Sequence, residues 1–530
     1  MSDSRPASSV TKGPEHEVEP PRVIGGLGAF SLVAGSMIGV GVFIFLDEIA
    51  RGTGSVPMFF GMLLLGGFFA VCGAAACGEL GAMMPRAGGD YVFQRAAYGR
   101  SIAFASGWVL FAAIFAGSNA ALSVAVFQYE LGPLFGVDMN AAVLGPITGA
   151  QLGAIGLLVL LAGLNDLGAS MSSRAQTILT LTPILAMALL AVAIIIIQPT
   201  PAAPLTGDEL GQIPATLSLA GLATGFLAVN FIFSGWINII YVAAEVKDPG
   251  RNVPRSMFSA TAVVTLLYIL VATAFLIVLG FDGVASSGSP ALGFDAGTRT
   301  ANALGVSWAA PVVLIVITFA IVTSVNATVM AGARVGYAMA KDGAFWRPVG
   351  VLSGKRQVPR RSLWLQTFIS CLIVLTGTAE AIAEMTSLAM FVTGSLTVAA
   401  VYVLRKKMPE APRPYKATGY PVLPAIYILL AVLAILAKVD DARAKEGLGA
   451  WYPLIGVGIL GVTWVGHLLY LRYWKSAAVV AVGFIASGIA FDSMTGPTPQ
   501  ARALTPVVPA MIVSEPLPAT LDARGLVTAP

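Results

Sequence analysis

Gly35-Ser36-Met37-Ile38-Gly39-Val40-Gly41 stands inside the first long apolar stretch of the chain, and its reading decides the rest. Three glycines and a serine are weak helix formers where a spanning helix is expected. In a bilayer an interrupted helix leaves N–H and C=O groups without partners. Such backbone is tolerated only where protein or a watery cavity satisfies it. The same groups are what a small charged ligand needs, so the stretch predicts a polar binding site in mid-membrane.

The 530 residues are 57% hydrophobic and only 11% charged, against about 25% charged in soluble domains. The composition predicts an all-α polytopic membrane protein. A spanning helix needs roughly 20 apolar residues, and about twelve stretches qualify as transmembrane helices: 24–46, 57–82, 103–129, 148–167, 175–197, 216–244, 257–281, 309–340, 363–378, 383–404, 422–437 and 452–471. They are numbered here as spans 1 to 12. A further apolar run at 477–491 is short for a crossing and reads as an interfacial or packed helix. Residues 1–22 and 492–530 are polar or rich in Pro, Thr and Ala and read as disordered ends.

The connections after even-numbered spans carry 18 Lys and Arg up to span 10, whereas those after odd-numbered spans carry 5. The positive-inside rule then places the N-terminus and the even connections in the cytoplasm, and twelve spans place the C-terminus there too.

A second irregular stretch, Asn230-Phe231-Ile232-Phe233-Ser234-Gly235-Trp236, lies in span 6. Spans 1 and 6 are the first members of two five-helix sets. Interrupted spans at matching positions of two halves point to a transporter site between inverted repeats. The halves share no obvious identity, so the repeat rests on span order. Close packing is the alternative: Gly35-xxx-Gly39 is a small-xxx-small pattern, and Phe233 and Trp236 alone suit ordinary packing.

Ionisable residues near a span are functional candidates. Glu79, Glu245 and Arg334, at the cytoplasmic ends of spans 2, 6 and 8, are candidates for a gate that pairs when the inner entrance closes; a solvated helix end or a fixed ion pair is the alternative. Asp47 and Glu48 read as solvated at the outer end of span 1. Thr323 and Ser324 in span 8 offer hydroxyls to an ion, although span hydroxyls mostly bond their own helix. Cys72, Cys77, Cys371, His16 and His467 show no metal-ligand spacing. No Ser/His or Cys/His constellation appears either, which argues against an enzyme.

Five ordered segments carry a family resemblance. They are Gly35–Phe43; Gly78-Glu79-Leu80 followed by Pro85-Arg86-Ala87-Gly88-Gly89-Asp90-Tyr91; Phe233–Trp236 with Glu245–Pro249, Arg251-Asn252 and Pro254-Arg255; Arg334–Gly343; and Arg405 with Pro409, Arg413–Lys416 and Tyr420-Pro421. Together they resemble the amino acid–polyamine–organocation family of permeases, over about residues 24 to 475. The resemblance implies a LeuT-like fold: two inverted five-helix repeats at about 23–200 and 215–405, plus two further helices at about 422–471. It implies secondary active transport of amino acids or related amines, with Ser36, Met37, Ile38, Gly39, Phe233, Ser234, Gly235 and Trp236 holding the substrate and Phe233 serving as a gate. Some relatives carry a lysine in span 5 in place of a coupling cation; a count along span 5 puts Pro183 there, with Thr182 beside it.

The chemistry suits a zwitterion. The half-helix starting near Gly39 to Gly41 presents free N–H groups to a carboxylate. The half-helix before it ends in carbonyls that suit an ammonium. Neither break holds Asp, Glu, Lys or Arg, which favours neutral amino acids, since a buried unpaired charge is costly. The partners implied are the amino acid and the lipid bilayer, with no nucleic acid and no cofactor. Proton coupling, sodium coupling and exchange stay open, as does the oligomeric state. The competing readings are an amine or polyamine carrier and a non-transporting sensor or channel.

Overall fold

The computed structural model describes residues 20–39, 41–197, 218–287, 296–354, 356–377 and 379–444, with 458, 461–465 and 467. Both chain ends, the 477–491 run and most of span 12 lie outside the described residues.

Apolar composition all round a helix, rather than on one stripe, is what a bilayer selects. Span 2 is the helix Val56–Met83, which opens with a proline in its first turn, where an N–H has no partner to lose. Span 3 runs from Arg100 to Phe135 and widens into π turns at Val109–Phe115 and Val126–Leu131. Spans 4, 5, 7, 8 and 10 are the helices Gly149–Asp166, Ala169–Ile197, Pro249–Ala285, Ala309–Lys341 and Ala379–Lys407. Span 9 is Arg360–Val374 and span 11 is Val422–Ala444. Among the described residues, eight helices are long and apolar enough to cross a membrane. The chain is an all-α, multi-pass integral membrane protein.

Connections use familiar local devices. Ala142–Leu144 pairs antiparallel with Ile147–Thr148, and Thr148 then caps span 4 in a reciprocal capping box with Gln151. Between spans 2 and 3, a short helix at Asp90–Tyr98 tucks against span 10: Gln94 donates to the Thr393 carbonyl (3.1 Å) and to the Thr397 hydroxyl (2.9 Å), and the Tyr98 hydroxyl donates to the Leu396 carbonyl (2.8 Å).

Spans 1 and 6 come in pieces. Span 1 is helical over Gly26–Met37, leaves helical geometry at Ile38, and resumes at Gly41–Ile44 and Leu46–Thr53. Span 6 is helical over Leu219–Phe233, breaks at Ser234, and continues as a tight 3₁₀ turn over Asn238–Glu245. Because span 1 continues to Thr53, Asp47 is not a solvated end residue as expected. It is buried and pairs with Arg51 one turn on, at 2.7 Å. The second half of span 1 touches the first half of span 6 so closely that a Cβ on Gly52 would lie 2.3 Å from the Gly221 carbonyl oxygen.

Candidate substrate site

The two breaks meet. Gly235 takes φ +104°, and a Cβ there would sit 2.6 Å from the Ser36 carbonyl oxygen. Only glycine meets both conditions without strain. Beside this contact lies a cavity of about 120 Å³, room for several waters or one small solute at about 10–15 Å³ per water. Ser36, Met37, Gly39 and Gly41 line it from span 1, and Ser234, Gly235 and Trp236 from span 6.

Two predicted residues lie elsewhere. Ile38 is buried but does not line the cavity. Phe233 turns away from it, ring to ring with Tyr268 of span 7 at 5.2 Å and pressed on Gly66 of span 2. The aromatic that faces the cavity from the helical part of span 6 is Phe231, packed on Phe45 at 4.8 Å. Trp236 reaches the cavity because Gly73 of span 2 leaves room for its ring, and it packs edge-on against Tyr427 of span 11 at 5.9 Å.

The freed carbonyls of both breaks have partners. The Tyr268 hydroxyl lies 2.7 Å from the Met37 carbonyl oxygen and 3.0 Å from that of Ile232, so one proton is shared between them. Ser324 donates to the Ser36 carbonyl (3.2 Å), and Ser234 turns its hydroxyl back to the Phe231 carbonyl (2.7 Å). The Phe231 carbonyl also accepts the Ser234 N–H (3.1 Å) and is filled, whereas a carbonyl oxygen with one donor keeps a second lone pair for a ligand. Tyr268 joins the site from outside both breaks.

Ser324 lines the cavity, whereas Thr323 does not. Thr323 directs its hydroxyl to the carbonyls of Phe319 on its own helix (2.7 Å) and Leu179 of span 5 (2.6 Å). Gln176 and Thr180 of span 5 wedge between spans 1 and 8. A Cβ on Gly35 would lie 2.3 Å from the Thr180 hydroxyl and 2.5 Å from the Gln176 amide. Gly35 is thus a packing glycine, one turn before the break. Gln176 also accepts from Asn326 (2.7 Å), which in turn accepts from Asn165 of span 4 (2.8 Å), and Thr180 donates to the Ser31 carbonyl (2.9 Å). Neutral amides and hydroxyls therefore join spans 1, 4, 5 and 8.

The three charged residues separate. Arg334 and Glu245 form a bidentate pair (2.8 and 3.0 Å), each 2% exposed, and Arg334 also donates to the Met330 carbonyl (2.7 Å). Beside it, Ile24 donates to the Glu245 carbonyl (2.9 Å) and accepts from Lys247 (2.8 Å), tying the entry of span 1 to the exit of span 6. Glu79 takes no part. It accepts from Arg405 (3.0 and 2.5 Å), Arg413 (3.1 Å) and the Ala417 backbone (2.7 Å).

One acid in the cavity wall comes from neither break. Asp90, at the start of the short helix between spans 2 and 3, lines the cavity with Tyr241, whose hydroxyl donates to it at 2.8 Å. In the sequence it stands inside the Pro85–Tyr91 motif, with no sign of its own. Nothing in the sequence says that this connection folds inward, except the Gly88-Gly89 pair before it, both at positive φ.

Comparison with known proteins agrees with this architecture. The amino acid permease family matches residues 24–464. The chain is 28% identical over 449 residues to the large neutral amino acids transporter small subunit 2 of Homo sapiens, covering 83% of this chain and 80% of that one. It is 27% identical over 445 residues to the Asc-type amino acid transporter 1 of Mus musculus, covering 83% and 81%. It is 24% identical over 449 residues to the cystine/glutamate transporter of Pongo abelii, covering 84% and 85%. A match over nearly the whole bundle, on top of two broken spans meeting at a cavity, identifies the chain as a member of the amino acid permease family, within the amino acid–polyamine–organocation group.

Proposed function

We propose that this permease is a secondary active transporter of neutral amino acids that works by alternating access, with the substrate's ammonium and carboxylate groups held at the two breaks. The observation that carries the reading is the meeting of Gly235 with Ser36 beside a cavity that no lysine, arginine or histidine among the described residues lines. Backbone groups left by the interruptions supply partial charges of both signs, which is what a zwitterion with an uncharged side chain requires. The names of the relatives from Homo sapiens and Mus musculus support an amino acid substrate, and the first, which says large neutral amino acids, supports a neutral one.

In this reading Ser36, Met37, Gly39, Gly41, Ser234 and Gly235 hold the substrate backbone, and Phe231 and Trp236 cover it. The gate is the Glu245–Arg334 pair, with Glu79 as a fixed structural acid. The charge asymmetry of the connections supports a cytoplasmic N-terminus, with the gate on that side. Gln176 and Thr180 fill the space between spans 1 and 8, which supports a packing role for Thr323 rather than a sodium site, with Ser324 tethering the Ser36 carbonyl.

Uptake into proteoliposomes tests the proposal. Internal unlabelled neutral amino acid is expected to drive counterflow of the labelled one, with putrescine failing to compete. Accumulation of putrescine but of no amino acid would sink it.

A further inference from the structure

Glu79 and Glu245 are each neutralised by arginine. Asp90 is not: among the described residues it takes part in no ion pair, although it is 2% exposed and faces the cavity. One oxygen accepts the Tyr241 hydroxyl, and the other has no hydrogen-bond partner. The Thr397 hydroxyl also lies by this carboxyl, but its proton goes to the Thr393 carbonyl at 3.1 Å.

The titratable groups facing Asp90 are all neutral ones: Cys77 from span 2, Tyr241 from the exit of span 6 and Tyr427 from span 11. On span 8 the nearby cation is Arg334, whose guanidinium is taken by Glu245. Arg95 and Asp342 pair at the far end of the short helix. A carboxylate in such a place carries an uncompensated charge, and closing the cavity over it strips away its remaining water.

We propose that Asp90 is a proton-binding site in the substrate cavity, so that a proton crosses with the amino acid. The inference rests on the transport reading above. The proton adds to a carboxylate oxygen from water on one side, leaves to water on the other, and no other bond forms or breaks. A neutral acid lets the cavity close; a carboxylate opposes closure. Burial pushes the carboxyl up to about 7 against the opposing hydrogen bond of Tyr241, so both forms are populated near neutral pH.

The test uses the full chain in proteoliposomes with trapped pyranine. Wild type is expected to move protons with a neutral amino acid, and an external pH one unit below the internal pH to support about tenfold accumulation inside at one proton per substrate. Asp90→Asn, at whatever rate it works, is expected to give a flat pH profile and no substrate-evoked proton movement. Tyr241→Phe removes the donor that favours the anion and is expected to shift the pH midpoint upward. Amino acid uptake by wild type without proton movement would overturn the proposal, as would an unchanged pH profile in Asp90→Asn. Wild-type uptake of lysine or putrescine that depends on Asp90, with no proton movement, would also overturn it by assigning the carboxylate to a cationic substrate. Absence of counterflow for every amino acid would overturn the transport reading itself, and this proposal with it.

Discussion

Glu79 and Glu245 are both buried carboxylates held by arginine, yet they are held in opposite ways. Glu79 accepts four hydrogen bonds from three residues, one of them a backbone amide. Its partner Arg413 is stitched to the carbonyls of Pro409, Ala411 and Met408, and Arg405 lies over the Tyr420 ring at 3.7 Å. Glu245 has one arginine and two hydrogen bonds, and both partners are 2% exposed. The first arrangement pins spans 2 and 10 to the loop that follows span 10, and freeing it breaks many contacts at once. The second joins the exit of the broken span 6 to span 8 through one separable pair. Two charges that part into water recover their hydration, which repays much of the lost attraction. The contrast teaches that burial and charge alone do not mark a moving part; the number of independent tethers does.

The sharpest way to break this comparison is Arg334→Ala. It leaves Glu245 as an unpaired buried charge and is expected to cost about 3–5 kcal/mol and to abolish transport, read from thermal unfolding in detergent and from counterflow. The double variant Arg334→Met with Glu245→Met separates the two effects. An apolar pair of similar size is expected to recover most of the stability but not the transport rate. Full transport in the double variant would remove the pair from the gate.

Next in size is Gly235→Ala. The left-handed backbone costs about 1–3 kcal/mol for a residue with a side chain, and its Cβ would press on the Ser36 carbonyl, so transport is expected to fall at least tenfold. Gly225→Ala, on the same span, is the control. Its Cβ would meet nothing closer than 3.6 Å, and transport is expected to stay within twofold. Tyr268→Phe comes third. Both carbonyls it serves lose a donor in a dry place, at about 1–3 kcal/mol, and uptake is expected to fall several-fold through a raised KM, because the two breaks lose their common tether.

Much of the fold was legible because spanning helices are a matter of local composition. The stretch 57–82 became Val56–Met83, 148–167 became Gly149–Asp166, and 309–340 became Ala309–Lys341. The breaks were legible because glycine marks backbone that helices avoid. Helical phase was not. Phe231 and Phe233 are two residues apart, about 200° around a helix, so one faces the cavity and the other faces span 7, and an aromatic cluster in the sequence does not say which. The span 5 contact went unread, although Gln176 is a lone amide in an apolar span and pointed to it. Asp90 and Tyr427 reach the cavity, and Tyr268 the broken backbone beside it, from elements distant in the chain, and only the packing of the bundle brings them there.

The smallest expected effect on transport sharpens the opening contrast. Glu79→Gln keeps an acceptor oxygen but gives up the charge that serves two arginines, and hydrogen bonds to a charged group are worth about 1.5–3 kcal/mol each. Arg405 is 26% exposed on its side chain and recovers some hydration, so a stability loss of about 2 kcal/mol is expected in thermal unfolding. The counterflow rate per folded molecule is nevertheless expected to stay within twofold of wild type, because the tethers that remain on Arg413 still hold the loop in place. If Glu79→Gln instead changed the accessibility of the cavity as strongly as Arg334→Ala, the many-tethered cluster would be a moving part, and tether number would fail as the criterion that separates the two carboxylates.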